Sequence, residues 1–154
     1  MSEEIRTIVT FKSTAFNMTE PRDYFINPCC YGDDVAKWLM IELRKRGIQS
    51  DEKPGQEDFG WYLNFHVPRT DYTLVIGHRA GEGHDEGTWI IWLERRRGLM
   101  RSLLGSRKRG IQLPAVDAIH SILSSSPQIR DIRWHFQRGF EKEKDGGAST
   151  PSEA

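Results

Sequence analysis

Between Phe59 and Val67, large apolar residues take every second position: Phe59, Trp61, Leu63, Phe65 and Val67, with Tyr62, Asn64 and His66 between them. A strand turns successive side chains to opposite faces, so this alternation predicts a sheet with one packed face and one partly polar face. Residues 68–71 predict the turn into a strand over 72–78, where Tyr72, Leu74 and Ile76 repeat the pattern. After a Gly-rich loop over 80–87, residues 88–94 are apolar on both faces through Trp89, Ile90, Ile91, Trp92 and Leu93, which predicts a central strand. A short β-branched stretch at 5–11 predicts the first strand. Residues 129–137 predict the last, with Ile132, Trp134 and Phe136 inward and Arg133, His135 and Gln137 outward. Trp61, Trp89 and Trp134 are expected out of water, on adjacent strands.

Two segments change to helical spacing. Val35, Trp38, Leu39 and Leu43 make one apolar face, with Asp33 or Asp34 as the N-cap and Arg44, Lys45 and Arg46 in the last turn. Gly47 suits the residue after that helix. A second helix starts near Pro114, with Val116, Ile119 and Leu123 as its stripe, and ends by Ser124 to Pro127. The order β-α-β-β-β-α-β predicts an α+β fold: an antiparallel or mixed sheet of about five strands with two helices on one face. A long irregular stretch at 13–32 carries Pro21 and Pro28 as breakers. Residues 1–140 are expected to form one domain. Residues 141–154 (EKEKDGGASTPSEA) are expected to be disordered, since alanine is their sole apolar residue type.

Charge adds what periodicity cannot. The 154-residue chain has 22 basic and 22 acidic residues, so no global field draws it to nucleic acid or an anionic membrane. The neutrality hides a segregation: residues 1–94 carry ten basic and sixteen acidic residues, 95–109 seven basic and no acidic, and 110–154 five and six. Cys29 and Cys30 are the two cysteines. Adjacent cysteines rarely pair, and the absence of a disulfide framework points to a reducing, cytoplasmic setting. The acidic, polar first residues predict no secretory leader, and no run reaches the roughly 18 apolar residues that a membrane span needs.

Glu57-Asp58-Phe59-Gly60-Trp61, with Ile132-Arg133-Trp134 in the last strand, resembles a group of small uncharacterised bacterial proteins that open a strand with Glu-Asp-aromatic-Gly-Trp. That resemblance implies a bacterial origin and assigns no activity, ligand or site residue.

Several residue sets offer chemistry. His66, His78, His84 and Asp85 are ligands that zinc or iron would accept, with His66 and His78 facing each other if their strands pair suitably. Ordinary surface histidines are the favoured alternative, and no metal or cofactor is expected. Glu57, Asp58, Glu82, Asp85 and Glu86 offer carboxylates for acid–base work, against the simpler role of solubilising charge. Cys29 and Cys30 sit where a helix dipole would lower a thiol pKa, yet they have no nearby histidine, and packing is the better expectation. No nucleophile elbow, phosphate loop or dinucleotide fingerprint occurs.

The run ERRRGLMRSLLGSRKRG at 94–110 is the most unusual feature. Leu99, Met100, Leu103 and Leu104 form a narrow stripe between Arg-rich ends. Arg95, Arg96, Arg97, Arg101, Arg107, Lys108 and Arg109 are therefore the expected binding residues, for another protein or an anionic surface, with nucleic acid a less supported partner. The competing expectation pairs these arginines with the chain's own acids around Glu57–Asp58 and Glu82–Glu86. A non-catalytic interaction or regulatory domain, such as an immunity or accessory protein, is the favoured function. A small hydrolase, metal-assisted through the histidines and loop carboxylates, is the alternative.

Overall fold

The computed structural model describes residues 5–17, 22–25, 31–57, 60–68, 70–81, 87–95, 111–136 and 147–151. Its strands are β1 (Ile8–Lys12), β2 (Gln49–Ser50), β3 (Gly55–Glu57), β4 (Gly60–Val67), β5 (Thr70–Arg79), β6 (Thr88–Arg95) and β7 (Arg130–His135). Its helices are α1 (Asp33–Lys45) and α2 (Leu113–Ser124). The strands form one antiparallel sheet in the order β2-β4-β5-β6-β1-β7, with β3 beside β2 on the same edge of β4. The α+β class therefore holds, and the sheet is wholly antiparallel. Among the described residues it has seven strands, because β2 and β3, too short and polar to alternate, join the five expected from sequence.

Sidedness organises the molecule. Paired residues share a face, so the registers Trp61↔Ile76, Leu63↔Leu74 and Phe65↔Tyr72 continue through Trp89, Ile91 and Leu93 to Val9, Phe11 and Trp134. All of these are buried, against Val35, Leu39 and Leu43 of α1 and Val116, Ile119 and Leu123 of α2. Burial of each such side chain contributes about 1.5–3 kcal/mol. The three tryptophans are buried as expected, but they are not on adjacent strands. β5 separates Trp61 from the β6 strand of Trp89, and β1 separates β6 from the β7 strand of Trp134. The sequence order of strands is a poor guide to neighbours here, because β1 inserts between β6 and β7.

The other face carries no helix among the described residues, yet two of its aliphatic residues are buried. Gly55, Tyr62, Val75, Trp92, Ile8 and His135 lie opposite one another in an unbroken row across six strands. Large rings flank the aliphatic members, which leaves Val75 3% and Ile8 6% exposed. His135, expected to face outward, does lie on this face but is buried, with Nε2 2.9 Å from Thr10 Oγ1.

Local chemistry explains the element ends. Gly47 (φ +78) follows the C-cap Arg46, with its N–H on Arg44 O at 2.9 Å and that of Ile48 on Leu43 O at 2.9 Å. This pairing closes the last turn of α1 and seats Ile48 on the core. The N-cap of α1 is Gly32 rather than an aspartate; Asp33 and Asp34 occupy the first turn. Gly60 explains the Gly-Trp pair that opens β4: its φ is +152, and an added Cβ would stand 2.4 Å from Ile76 O. Residues 147–151, inside the stretch expected to be disordered, are placed beside β7 through a bridge between Trp134 and Ala148. Backbone pairing of this kind requires no apolar side chain. No helix among the described residues is long and apolar enough to cross a membrane.

Trp134 joins sheet to helix, since its Nε1 donates to His120 Nδ1 of α2 at 3.0 Å. Replacing Trp134 by Ala should cost about 3–5 kcal/mol in denaturant unfolding, the range for a fully buried aromatic. A cost below about 1 kcal/mol would contradict this packing.

Candidate functional site

One end of the sheet holds both flanks of the basic run. β6 stops at Arg95, whose register partner is Tyr72 of β5. The chain returns at Ile111, which is buried, and Gln112 N donates to Tyr72 Oη at 3.3 Å. Tyr72 is itself 1% exposed and stacked on Phe65 at 5.5 Å. The two flanks of the segment are thus both placed at Tyr72, one by backbone register and one by a bond to its hydroxyl. The backbone of Arg95 belongs to β6; Arg96, Arg97, Arg101, Arg107, Lys108 and Arg109 lie outside the described residues, as do Leu99, Met100, Leu103 and Leu104.

On the helix-free face at the same end, Gln49, Ser50, Asp51, Asn64, Phe65, His66 and Asp71 surround an open depression of about 220 Å³. Asp51 accepts from Asn64 N at 2.9 Å and Nδ2 at 3.0 Å, and Thr73 Oγ1 donates to Asn64 Oδ1 at 2.6 Å. Arg44 donates to the Asp51 carbonyl at 2.6 Å. His66 Nδ1 meets Asp71 Oδ1 at 2.6 Å, with both side chains about half exposed. An imidazole–carboxylate pair orients a base, but base catalysis of acyl transfer also needs a nucleophile on the imidazole. Ser50 Oγ instead donates to the Asp51 carbonyl at 3.4 Å.

His66 and His78 do not come together. His66 is opposite Asp71, and His78 is opposite Trp89. From residue 71 to residue 78 is seven steps along β5, or roughly 24 Å. The two also point to opposite faces: His66 outward, His78 toward the helices with its ring 4.5 Å from Trp89 and 6.5 Å from Tyr31. The expectation that they face each other is therefore wrong, because the β4–β5 register puts them at opposite ends of the pair. His84 and Asp85 lie outside the described residues, as do Asp58, Glu82, Glu86, Cys29 and Cys30. Among the described residues no group of three or more His, Cys, Asp or Glu is placed to hold a metal.

The opposite end of the sheet carries the N-terminus of α1. Asp34 Oδ2 accepts from Asn17 N at 2.7 Å and its Oδ1 accepts from Val35 N at 3.0 Å. Asp33, 4% exposed, accepts from Tyr24 Oη, and Lys37 Nζ is 3.8 Å away. The bond to Asp33 and partial desolvation push the Tyr24 phenol up to about 12. These contacts tie the long 13–32 stretch to the helix, so both aspartates act as structural tethers. Sequence reasoning noticed the aspartates as caps and missed Tyr24, Tyr72 and the Asp51–Asn64 pair, which no motif marks.

Comparison of the chain with protein-family models, with curated proteins and with solved structures finds no match.

Burial raises the Asp34 carboxyl above the ordinary aspartate value, against the lowering effect of its backbone N–H donors. A raised folded-state pKa contributes stability that is present at low pH and lost as pH rises through it. Relative to an Asp34→Asn variant, the unmodified protein should therefore lose stability as pH rises from about 4 toward neutrality. Urea unfolding of both proteins across that window checks this. Parallel curves would contradict it.

Proposed function

We propose that this protein is a non-catalytic interaction domain, of the regulatory, accessory or immunity kind, that meets an acidic surface on another protein. Arg95, Arg96, Arg97, Arg101, Arg107, Lys108 and Arg109 form its contact surface, and no cofactor takes part. We place it in a reducing, cytoplasmic compartment, on the strength of its two adjacent cysteines and the lack of a disulfide framework.

One observation carries this reading: the flanks of the basic run and the acidic segments emerge at opposite ends of the sheet. The run leaves β6 after Arg95 and rejoins at Ile111 beside Tyr72. The loop over 80–87 joins β5 and β6 at Arg79 and Thr88, and Glu57 pairs with Gly60 at that same end. From residue 88 to residue 95 is seven strand steps, roughly 24 Å, about three Debye lengths at physiological salt. Pairing between the arginines and these acids would need half the segment stretched along the whole sheet. At the end where the run leaves and returns, Asp71 has His66 and Asp51 has Asn64 as partners. Seven cations and no acid within residues 95–109 suit an anionic partner better than internal pairing, since exposed pairs contribute only about 0–1 kcal/mol each.

The test is a quadruple variant, Arg95→Gln, Arg97→Gln, Arg107→Gln and Arg109→Gln, titrated against a fluorescent poly-glutamate peptide. Folding should be unchanged, and affinity should fall by at least about tenfold. Binding by the unmodified protein should weaken steeply between about 50 and about 500 mM salt. An unfolded variant, or one that binds as well as the parent, would contradict the proposal.

A further inference from the structure

The sheet's two edges are protected differently. At one edge the outer strand is broken into β2 and β3, two and three residues long, which leaves little continuous backbone to pair with. At the other edge β7 begins with an irregularity: Arg130 pairs with Lys12 and Arg133 with Thr10, so three steps on β7 face two on β1. Asp131 takes a φ of 56 there, as a bulge needs. Beyond the bulge β7 is regular, and its outward backbone is met by residues from the chain's C-terminal region.

That contact is narrow and specific. Trp134 N donates to Ala148 O at 2.7 Å and Ala148 N to Trp134 O at 2.8 Å, the one bridged pair between the two stretches among the described residues. Arg6 N donates to Pro151 O at 3.1 Å, which ties the same segment to the chain ahead of β1. Gly147 extends the cross-strand row that runs from Gly55 to His135. Its φ is +83, and an added Cβ would stand 2.8 Å from His135 Cε1 and 2.9 Å from Arg133 Cβ. The segment is thus fitted by shape at Gly147 and bonded through its backbone at Ala148 and Pro151, each such bond worth about 0.5–1.5 kcal/mol net. A segment at the sheet's edge, joined to it through one bridge among the described residues, belongs to the parts of a fold that open first.

We propose that residues 147–151 are an exchangeable edge strand, and that the outer edge of β7 accepts the same segment from a second copy of this chain. The occupant is indicated by the structure itself, because the segment already seated there is carried by every copy and supplies the glycine that His135 requires. Within one copy the segment is tethered to β7 by residues 137–146, and a short tether gives an effective concentration in the millimolar range. Self-docking therefore wins in dilute solution. Exchange takes over when the protein is comparably concentrated or when the attached segment is unseated.

The test uses full-length protein and a fluorescent peptide of residues 145–154. Ala148→Pro removes the N–H that bonds Trp134 O, and Gly147→Val blocks the fit over His135; each unseats the attached segment and leaves β7 intact. Both variants should bind the peptide at least about tenfold more tightly than the unmodified protein. Both should also show faster hydrogen exchange at the Trp134 amide, slowed again by peptide. The proposal is overturned if neither variant binds the peptide, or if a scrambled peptide binds as well. It is equally overturned if a peptide carrying Gly147→Val binds as well, since the fit at His135 would then select nothing.

Discussion

The structure depends on the sidedness of one antiparallel sheet. Alternation along β4, β5 and β6 directs Trp61, Leu63, Phe65, Tyr72, Leu74, Ile76, Trp89, Ile91 and Leu93 to the same face, where both helices cover them. A slip of one residue in any of these pairings would turn a whole row of large side chains to the helix-free face. The registers are thus strongly specified, and the positions of polar groups follow from them. Tyr62, Asn64, His66, Asp71 and Thr73 fall on the helix-free face for the same reason that their neighbours are core. His66 and His78 are separated by that rule rather than by any accident of loop placement.

The same sheet separates the charges. β5 and β6 run its length, so the connections at their two ends are held apart by the rigid strands between them. Acidic segments flank the Gly60 and Thr88 end, and the basic run leaves and returns at the Tyr72 end. The described residues that flank the acidic loop and those that flank the basic run are therefore at opposite ends of the sheet. Tyr72 has a part at that end, since its backbone is opposite Arg95 in the β5–β6 register and its hydroxyl accepts from Gln112 N. The edges of the sheet carry a second theme: one is broken into short pieces and the other is covered by the chain's own residues 147–151.

Much of the fold was legible because it obeys short-period rules. The alternation at Trp61–Phe65 and the two-sided apolar run at Trp89–Leu93 marked packed and central strands. The cations at Arg44–Arg46 and Gly47 marked the end of α1. What was not legible depends on distant pairing. Nothing near Gln49 or Gly55 announces an edge strand, since two or three residues cannot show a period. The insertion of β1 between β6 and β7 follows from hydrogen bonding between segments more than 70 residues apart, and Gly147 meets His135 only once that edge is built. The candidate residues divide along the same line. The basic run stood out by composition alone, whereas the meeting of its flanks at Tyr72 needed the register of β5 with β6. The Asp51–Asn64–Thr73 chain needed three strands side by side.

The proposed contact surface requires the basic run to stay apart from the acidic loop, and a distance measures that directly. Spin labels at Ser106→Cys and Gly83→Cys, in a Cys29→Ala, Cys30→Ala background, leave every charge in place. Pulsed dipolar spectroscopy should return a distance centred above about 20 Å, the scale set by seven strand residues. A population centred below about 15 Å, collapsing further at low salt, would mean that the arginines fold back onto the chain's own carboxylates. The basic segment would then be an internal counterion rather than a surface held out for a partner.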